Sequence, residues 1–168
     1  AQPDFVFGLT NNFSWKGFDL DIFIQGSYGN DIFNATRIDL EGMFDSKNQS
    51  VAVLNRWTPD NRITDMPRAI GNGNVKNVLN STRFIEDGSY IRIKSLTLAY
   101  NFSGPWLAKA GLSALRLYTT GQNLFTITGY SGYDPEVNAF GRSATELGID
   151  YGTYPHSMVV TMGVKADF

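Results

Sequence analysis

The sequence predicts an all-β chain, an antiparallel segment of a transmembrane β-barrel with about five strands joined alternately by tight turns and long loops. Three observations carry this. Apolar residues recur with period two over stretches of about 10–13 residues, whereas globular strands average roughly 5–6 and a tilted bilayer-crossing strand needs about 9–11. Short and long connections alternate, as in barrels with short turns at one rim and long loops at the other. Large aromatics bunch where the tight ends fall, as an interfacial girdle requires.

The elements follow in order. From Asp4 to Trp15 the residues Phe5, Phe7, Leu9, Phe13 and Trp15 alternate with Gly8, Thr10, Asn12 and Ser14. Lys16-Gly17 suits a tight turn, and Phe18, Leu20, Ile22, Ile24 and Tyr28 then alternate with Asp19, Asp21, Gln25 and Ser27 as far as Asn30. Periodicity lapses after that, giving a long polar loop at about 31–89; connections beyond roughly 12–15 residues carry function or hold small elements of their own. A third strand, Tyr90–Phe102, has Ile91 and Ile93 out of phase with Leu96, Leu98, Tyr100 and Phe102, which predicts a bulge near Lys94. Trp106 to Ala110 reads as one helical turn closed by Gly111, and a fourth strand runs from Leu115 to about Ile127. A second loop spans about 129–154, and Met158, Val160, Met162, Val164, Ala166 and Phe168 form the last alternating stripe.

Composition narrows the function classes. In 168 residues, 14 Lys+Arg against 16 Asp+Glu give a net charge of −2, which lacks the basic footprint of a nucleic-acid binder. An aromatic content of 14% argues against disorder. There is no Cys, so disulfides and thiolate chemistry are absent, and no apolar run reaches the roughly eighteen residues of a membrane helix. No charged-then-apolar leader opens the chain.

Parity places Trp15, Phe18, Tyr100, Phe102 and Phe168 at one rim as the membrane girdle, and Asp19, Asp21, Arg116 and Gln122 on the opposite, lumen- or plug-facing side. Five strands cannot close a barrel, so the remaining strands must come from another segment or chain. Two alternatives share the alternation: a secreted or surface β-sandwich acting as a carbohydrate-binding module, and a passive porin-type channel fragment.

Six strings stand in a recognisable order: Arg56-Trp57-Thr58-Pro59-Asp60-Asn61, Thr64-Asp65-Met66-Pro67-Arg68, Asp87-Gly88-Ser89-Tyr90-Ile91-Arg92-Ile93-Lys94, Gly121-Gln122-Asn123-Leu124-Phe125, Tyr130-Ser131-Gly132-Tyr133-Asp134-Pro135-Glu136 and Tyr151-Gly152-Thr153-Tyr154-Pro155. Together they resemble the C-terminal part of SusC/RagA-type TonB-linked outer-membrane transporters over residues 1–168. The resemblance implies a barrel of roughly 22 strands filled by a plug. It further implies a SusD-like surface lipoprotein as lid, coupling to the TonB system through the plug, and import of oligosaccharides or peptides. Extracellular loops would lie at about 31–89 and 129–154, with a periplasmic C-terminus, in the outer membrane of a Gram-negative bacterium. This chain carries no plug, TonB box or signal sequence. Phe168 resembles the terminal aromatic by which such barrels are recognised for assembly.

The loop aromatics Trp57, Tyr130, Tyr133, Tyr151 and Tyr154, with Phe44 and Phe140, are the candidates for contact with substrate or lid; their alternative role is to pack the loops together. Catalysis is not expected, because His156 and Ser157 are neighbours on an extended segment and point to opposite faces, away from a triad with Asp150. Neither Asp39, Glu41 and Asp45 nor Asp134, Glu136 and Asp150 have the EF-hand spacing for Ca²⁺, and Gly71-Asn72-Gly73-Asn74 lacks the context of a phosphate cradle. No cofactor or metal is expected.

Overall fold

A computed structural model describes residues 2–70, 75–137 and 147–168. In chain order its strands are β1 (Phe5–Trp15), β2 (Phe18–Tyr28), β3 (Asp31–Asn34), β4 (Ile85–Asp87), β5 (Tyr90–Phe102), β6 (Ala114–Thr128), β7 (Ile149–Asp150) and β8 (Val159–Asp167). Two short helices, α1 (Thr36–Glu41) and α2 (Pro105–Lys109), and 3-10 turns at Val51–Asn55, Val75–Val78 and Thr82–Phe84 complete them. The chain divides into a sheet unit, Pro3–Gly29 with Ser89–Gly129 and Pro155–Phe168, and a loop body built mainly from Asn30–Gly88 and Tyr130–Tyr154.

The sheet unit is a five-stranded antiparallel meander in the order β1-β2-β5-β6-β8. Its strands of 9 to 15 residues match the length a tilted bilayer crossing demands. The first hairpin turns on Lys16 (φ 47°) and Gly17 (φ 90°), two successive left-handed residues whose twist fits the flanking strands. The Lys16 ammonium lies 4.9 Å over the Trp15 ring, which helps fix that tip. The bulge expected near Lys94 is present: β2 passes from Phe23↔Ser95 to Ile24↔Ile93, so the register skips Lys94. On the other side, Asn123 (φ 52°) and Leu124 are skipped between Gln122↔Ser95 and Phe125↔Ile93. This restores Ile91, Ile93 and Leu96 to one face.

That face is apolar and uncovered. Phe13 is 58% exposed, Leu98 42%, Met162 78% and Val164 66%, so no second layer among the described residues covers this face. The β-sandwich alternative requires such a layer, and the described residues supply none. The stripe is interrupted by Asn11, opposite Ile22, and by Thr119, opposite Leu98. The opposite face is polar. Ser14 Oγ and Asn101 Nδ2 donate to Asp19 at 2.7 Å each, Arg116 lies 3.4 Å from the same carboxylate, and Thr97 and Thr120 share a hydrogen bond of 2.9 Å. Tyr118 lies across Gly163, where any Cβ would collide with its ring.

Residues 31–89 and 129–154 hold small elements of their own, which adds three short strands to the five expected. β3 pairs antiparallel with β4 and parallel with β7, giving a second sheet in the order β4-β3-β7. These strands have four, three and two residues, too short for period two to register. Ile32, Tyr130 and Val137 form a buried cluster, and Phe84 meets Phe33 edge to face at 6.3 Å. Gly88 N–H donates to Asn30 O at 2.7 Å and closes the base.

Candidate functional site

The loop body is organised by charge as much as by grease. On α1, Arg37 and Glu41 stand four residues apart and so share a helix face. The guanidinium grips the carboxylate with two bonds, at 2.9 and 3.0 Å. Arg83 reaches the same carboxylate at 2.9 Å, and Arg37 extends to Glu86 at 3.0 Å. Glu86 also accepts from Ser131 N–H and Oγ at 2.9 Å each and from Asn34 Nδ2 at 3.2 Å. Burial pushes the Glu86 carboxyl up, but the Ser131 bonds and Arg37 outweigh it and hold it below the ordinary carboxylate value. Hydrogen bonding to Glu41, opposed by burial and aided by Glu86, raises Arg37 above its own.

Beside this network Asn34, Thr36, Leu40, Ser131 and Tyr133 line a pocket of about 310 Å³. Its wall is fixed by Asp150, 1% exposed, which accepts from Tyr130 Oη at 2.6 Å and from Thr153 N–H at 2.9 Å. Burial first, then that carboxylate, pushes the Tyr130 phenol well up, so it stays protonated and donating.

A second cleft, of about 250 Å³, is lined by Arg56, Trp57, Thr58, Pro59, Arg68 and Ala69. The chain turns tightly here: Thr58 and Asn61 exchange backbone bonds at 3.0 and 3.1 Å, and Trp57 N–H donates to Met66 O at 3.0 Å. Asn61 Nδ2 reaches back to Asn55 O, Asn55 Oδ1 and Arg56 O, while Thr64 Oγ1 holds Asn55 O at 2.6 Å. Together these bonds fix the strings Arg56–Asn61 and Thr64–Arg68 into one platform.

The predicted residues separate clearly. Tyr130 is buried with Ile32 and Val137 and takes the packing role. Trp57 is half-buried in its cleft, whereas Tyr133, Tyr151 and Tyr154 are exposed, and Tyr133 borders the first pocket. Phe140 and Gly71 to Asn74 lie outside the described residues. Phe18 and Tyr100 rings meet at 4.6 Å, Tyr100 and Phe102 at 4.8 Å, and Trp15 pairs with Phe18, so these four gather at the turn end of the sheet. Phe168 follows β8 at the same end and is almost fully exposed. Asp19, Asp21, Arg116 and Gln122 share the polar face; Asn12 Nδ2 donates to Asp21.

Four of the carboxylates considered for Ca²⁺ are engaged elsewhere: Asp39 and Asp45 on Lys47 at 2.9 and 3.4 Å, Glu41 on two arginines, Asp150 on Tyr130. Asp134 Oδ1 accepts from Glu136 N–H. His156 and Ser157 are exposed and precede β8. Sequence reasoning did not reach Arg37, Arg83 and Glu86, nor Arg56 and Arg68. The four-residue spacing of Arg37 and Glu41 was a usable signal, but nothing local ties either to Glu86.

No family model matches the chain. It is 40% identical over 170 residues to TonB-dependent receptor P3 of Formosa agariphila, covering 99% of this chain and 16% of that protein. It is 27% identical to TonB-dependent receptor SusC of Bacteroides thetaiotaomicron, over 98% of this chain and 15% of that one. Its fold superimposes on the RagAB peptide importer in the closed-closed state with a TM-score of 0.83 and 28% identity, covering 99% of this chain and 17% of that chain. The chain thus spans about a sixth of its relatives' length. Six strings in order, a membrane-length meander and these likenesses converge: this chain is a segment of the SusC/RagA type of TonB-dependent receptor.

Proposed function

We propose that this segment forms part of the wall and extracellular mouth of an outer-membrane importer that takes up oligosaccharides or peptides. The observation that carries the reading is the uncovered apolar face of a sheet whose strands have bilayer length, in a chain of SusC/RagA type. In it, Leu98, Met162 and Val164 face hydrocarbon, and Trp15, Phe18, Tyr100, Phe102 and Phe168 sit at the periplasmic interface. Asp19, Asp21, Arg116 and Gln122 face the lumen or a plug, because a water-filled or plugged interior needs polar side chains. The loop body stands outside the cell beneath a SusD-like lipoprotein, with Trp57, Tyr133, Tyr151 and Tyr154 open to substrate or lid. TonB acts through the plug, which belongs to the rest of the barrel.

Cell fractionation tests this. The intact protein is expected in the outer membrane, released only by detergent, with gel mobility that changes on boiling, and a surface lipoprotein should co-purify. Its deletion should abolish growth on one class of oligosaccharide or peptide. Recovery in the soluble fraction, or unimpaired uptake in the deletion strain, rejects the proposal.

A further inference from the structure

The apolar face of the sheet is hollow at one place. Leu98, Thr119 and Met162 are successive register partners across β5, β6 and β8, so a short side chain stands between two long ones. The next row toward the turn end is Phe18, Tyr100 and Leu117, and together these six line a groove of about 290 Å³. The two rows lie about 7 Å apart along the strands. Phe18, Leu98, Leu117 and Met162 are all exposed, so the groove is open along its length. In the other direction the next gap, at Gly121, is filled, because a Cβ there would collide with the Leu124 side chain. The groove therefore runs from the turn end to a floor at Thr119 and stops.

Its mouth is equipped differently. Trp15 is the register partner of Phe18, and the Lys16 ammonium stands 4.9 Å over the Trp15 ring, so this charge lies with the aromatics of the apolar face. No carboxylate among the described residues pairs with Lys16. Trp106, also exposed, rests edge to face on Phe102 at 6.0 Å. A hollow lined by hydrocarbon that ends at an unneutralised ammonium and an interfacial indole fits an amphiphile, with its chain inside and its phosphate at the mouth. An uncharged lipid would leave the ammonium without a counter-charge. A second copy of this sheet would do the same, and would cover the whole stripe where only one place is hollow.

We propose that this groove holds one acyl chain of an anionic phospholipid, with the lipid phosphate at Lys16 and the chain against Thr119. The proposal rests on the membrane reading of the stripe and goes beyond it, since one retained lipid is distinct from the fluid hydrocarbon that wets the rest of the face. A chain in the hollow restores the dispersion contacts that an empty notch forfeits. The ammonium adds a preference among headgroups.

The test uses the intact barrel, stripped of lipid in detergent, returned to vesicles of equimolar dioleoyl phosphatidylglycerol and dioleoyl phosphatidylethanolamine, and re-extracted for native mass spectrometry. The parent should keep one lipid more than Thr119→Leu. That variant fills the hollow with a side chain suited to a hydrocarbon-facing site, so it should fold and keep heat-modifiable mobility. The extra lipid should be phosphatidylglycerol by about fivefold, the preference one lysine gives an anionic headgroup. Lys16→Gln should keep a lipid but lose the preference, and Val160→Leu, on the same face outside the groove, should behave as the parent. Equal retention by the parent and Thr119→Leu, no preference between the two lipids in the parent, or a dimer in place of a bound lipid would overturn the assignment. A protein that needs no detergent would defeat the import reading and this proposal with it, whereas a detergent-dependent, heat-modifiable barrel without the extra lipid defeats the groove alone.

Discussion

Tyr130 shows how a single hydroxyl holds the loop body. Its donation to Asp150 at 2.6 Å satisfies a carboxylate that is 1% exposed, and nothing in water can replace it there. Tyr130→Phe keeps the ring in the Ile32 cluster but strips one bond from Asp150. It is expected to cost about 1–3 kcal/mol of local stability, seen as faster amide exchange at 31–34 and 149–150. Glu41 sits deeper in charge, with two arginines on an 8%-exposed side chain. Glu41→Gln leaves those guanidiniums short of a counter-charge, and about 3 kcal/mol should be lost in denaturant unfolding of the loop body. Glu86 adds a pH dependence whose sign is determined. Its folded value lies below the ordinary 4.5, so the unfolded chain takes up the proton first as pH falls. Stability present above about pH 4.5 is therefore lost on acidification through the folded value. Proteolysis of the loop body between pH 6 and pH 3 checks this, and Glu86→Gln should flatten the response.

At the scale of elements, the bulge at Lys94 keeps two halves of a strand on one face. Deleting Lys94 should turn Ile91 and Ile93 toward the polar side, because a one-residue slip inverts every side chain beyond it. Loss of the compact, heat-modifiable form would be the readout, whereas Lys94→Ala should cost about 1 kcal/mol or less. This bulge was legible in the sequence as the change of phase between Ile93 and Leu96, and the long strands were legible because period two persists across them. The Lys16-Gly17 turn and the helical turn after Pro105 were equally plain, since each is written in adjacent residues. β3, β4 and β7 were not, because two to four residues carry no period and their partners lie far apart in the chain. The same holds for Glu86, whose partners Arg37 and Ser131 come from opposite ends of the fold's sequence. Tyr130 stood out as an aromatic, but no local pattern distinguished a buried ring from an open one.

At the scale of the molecule, the proposed function has the two faces of the sheet meet different solvents, and a charge placed on each should report it. Met162, 78% exposed on the apolar face, is expected to tolerate Arg poorly, losing about 2–4 kcal/mol if it lies at the bilayer midplane. Thr161→Arg, one residue away on the polar face, should cost far less. Unfolding in lipid vesicles measures both, and equal penalties would sink the membrane assignment of the stripe.

The central place of β3 has a mechanical consequence. Phe33 is bonded on one flank to the segment that ends the first crossover and on the other to the segment that ends the second. Ile149 and Ile85 are thereby joined through one shared rib, so a substitution that breaks the Phe33 pairing should loosen both ends at once.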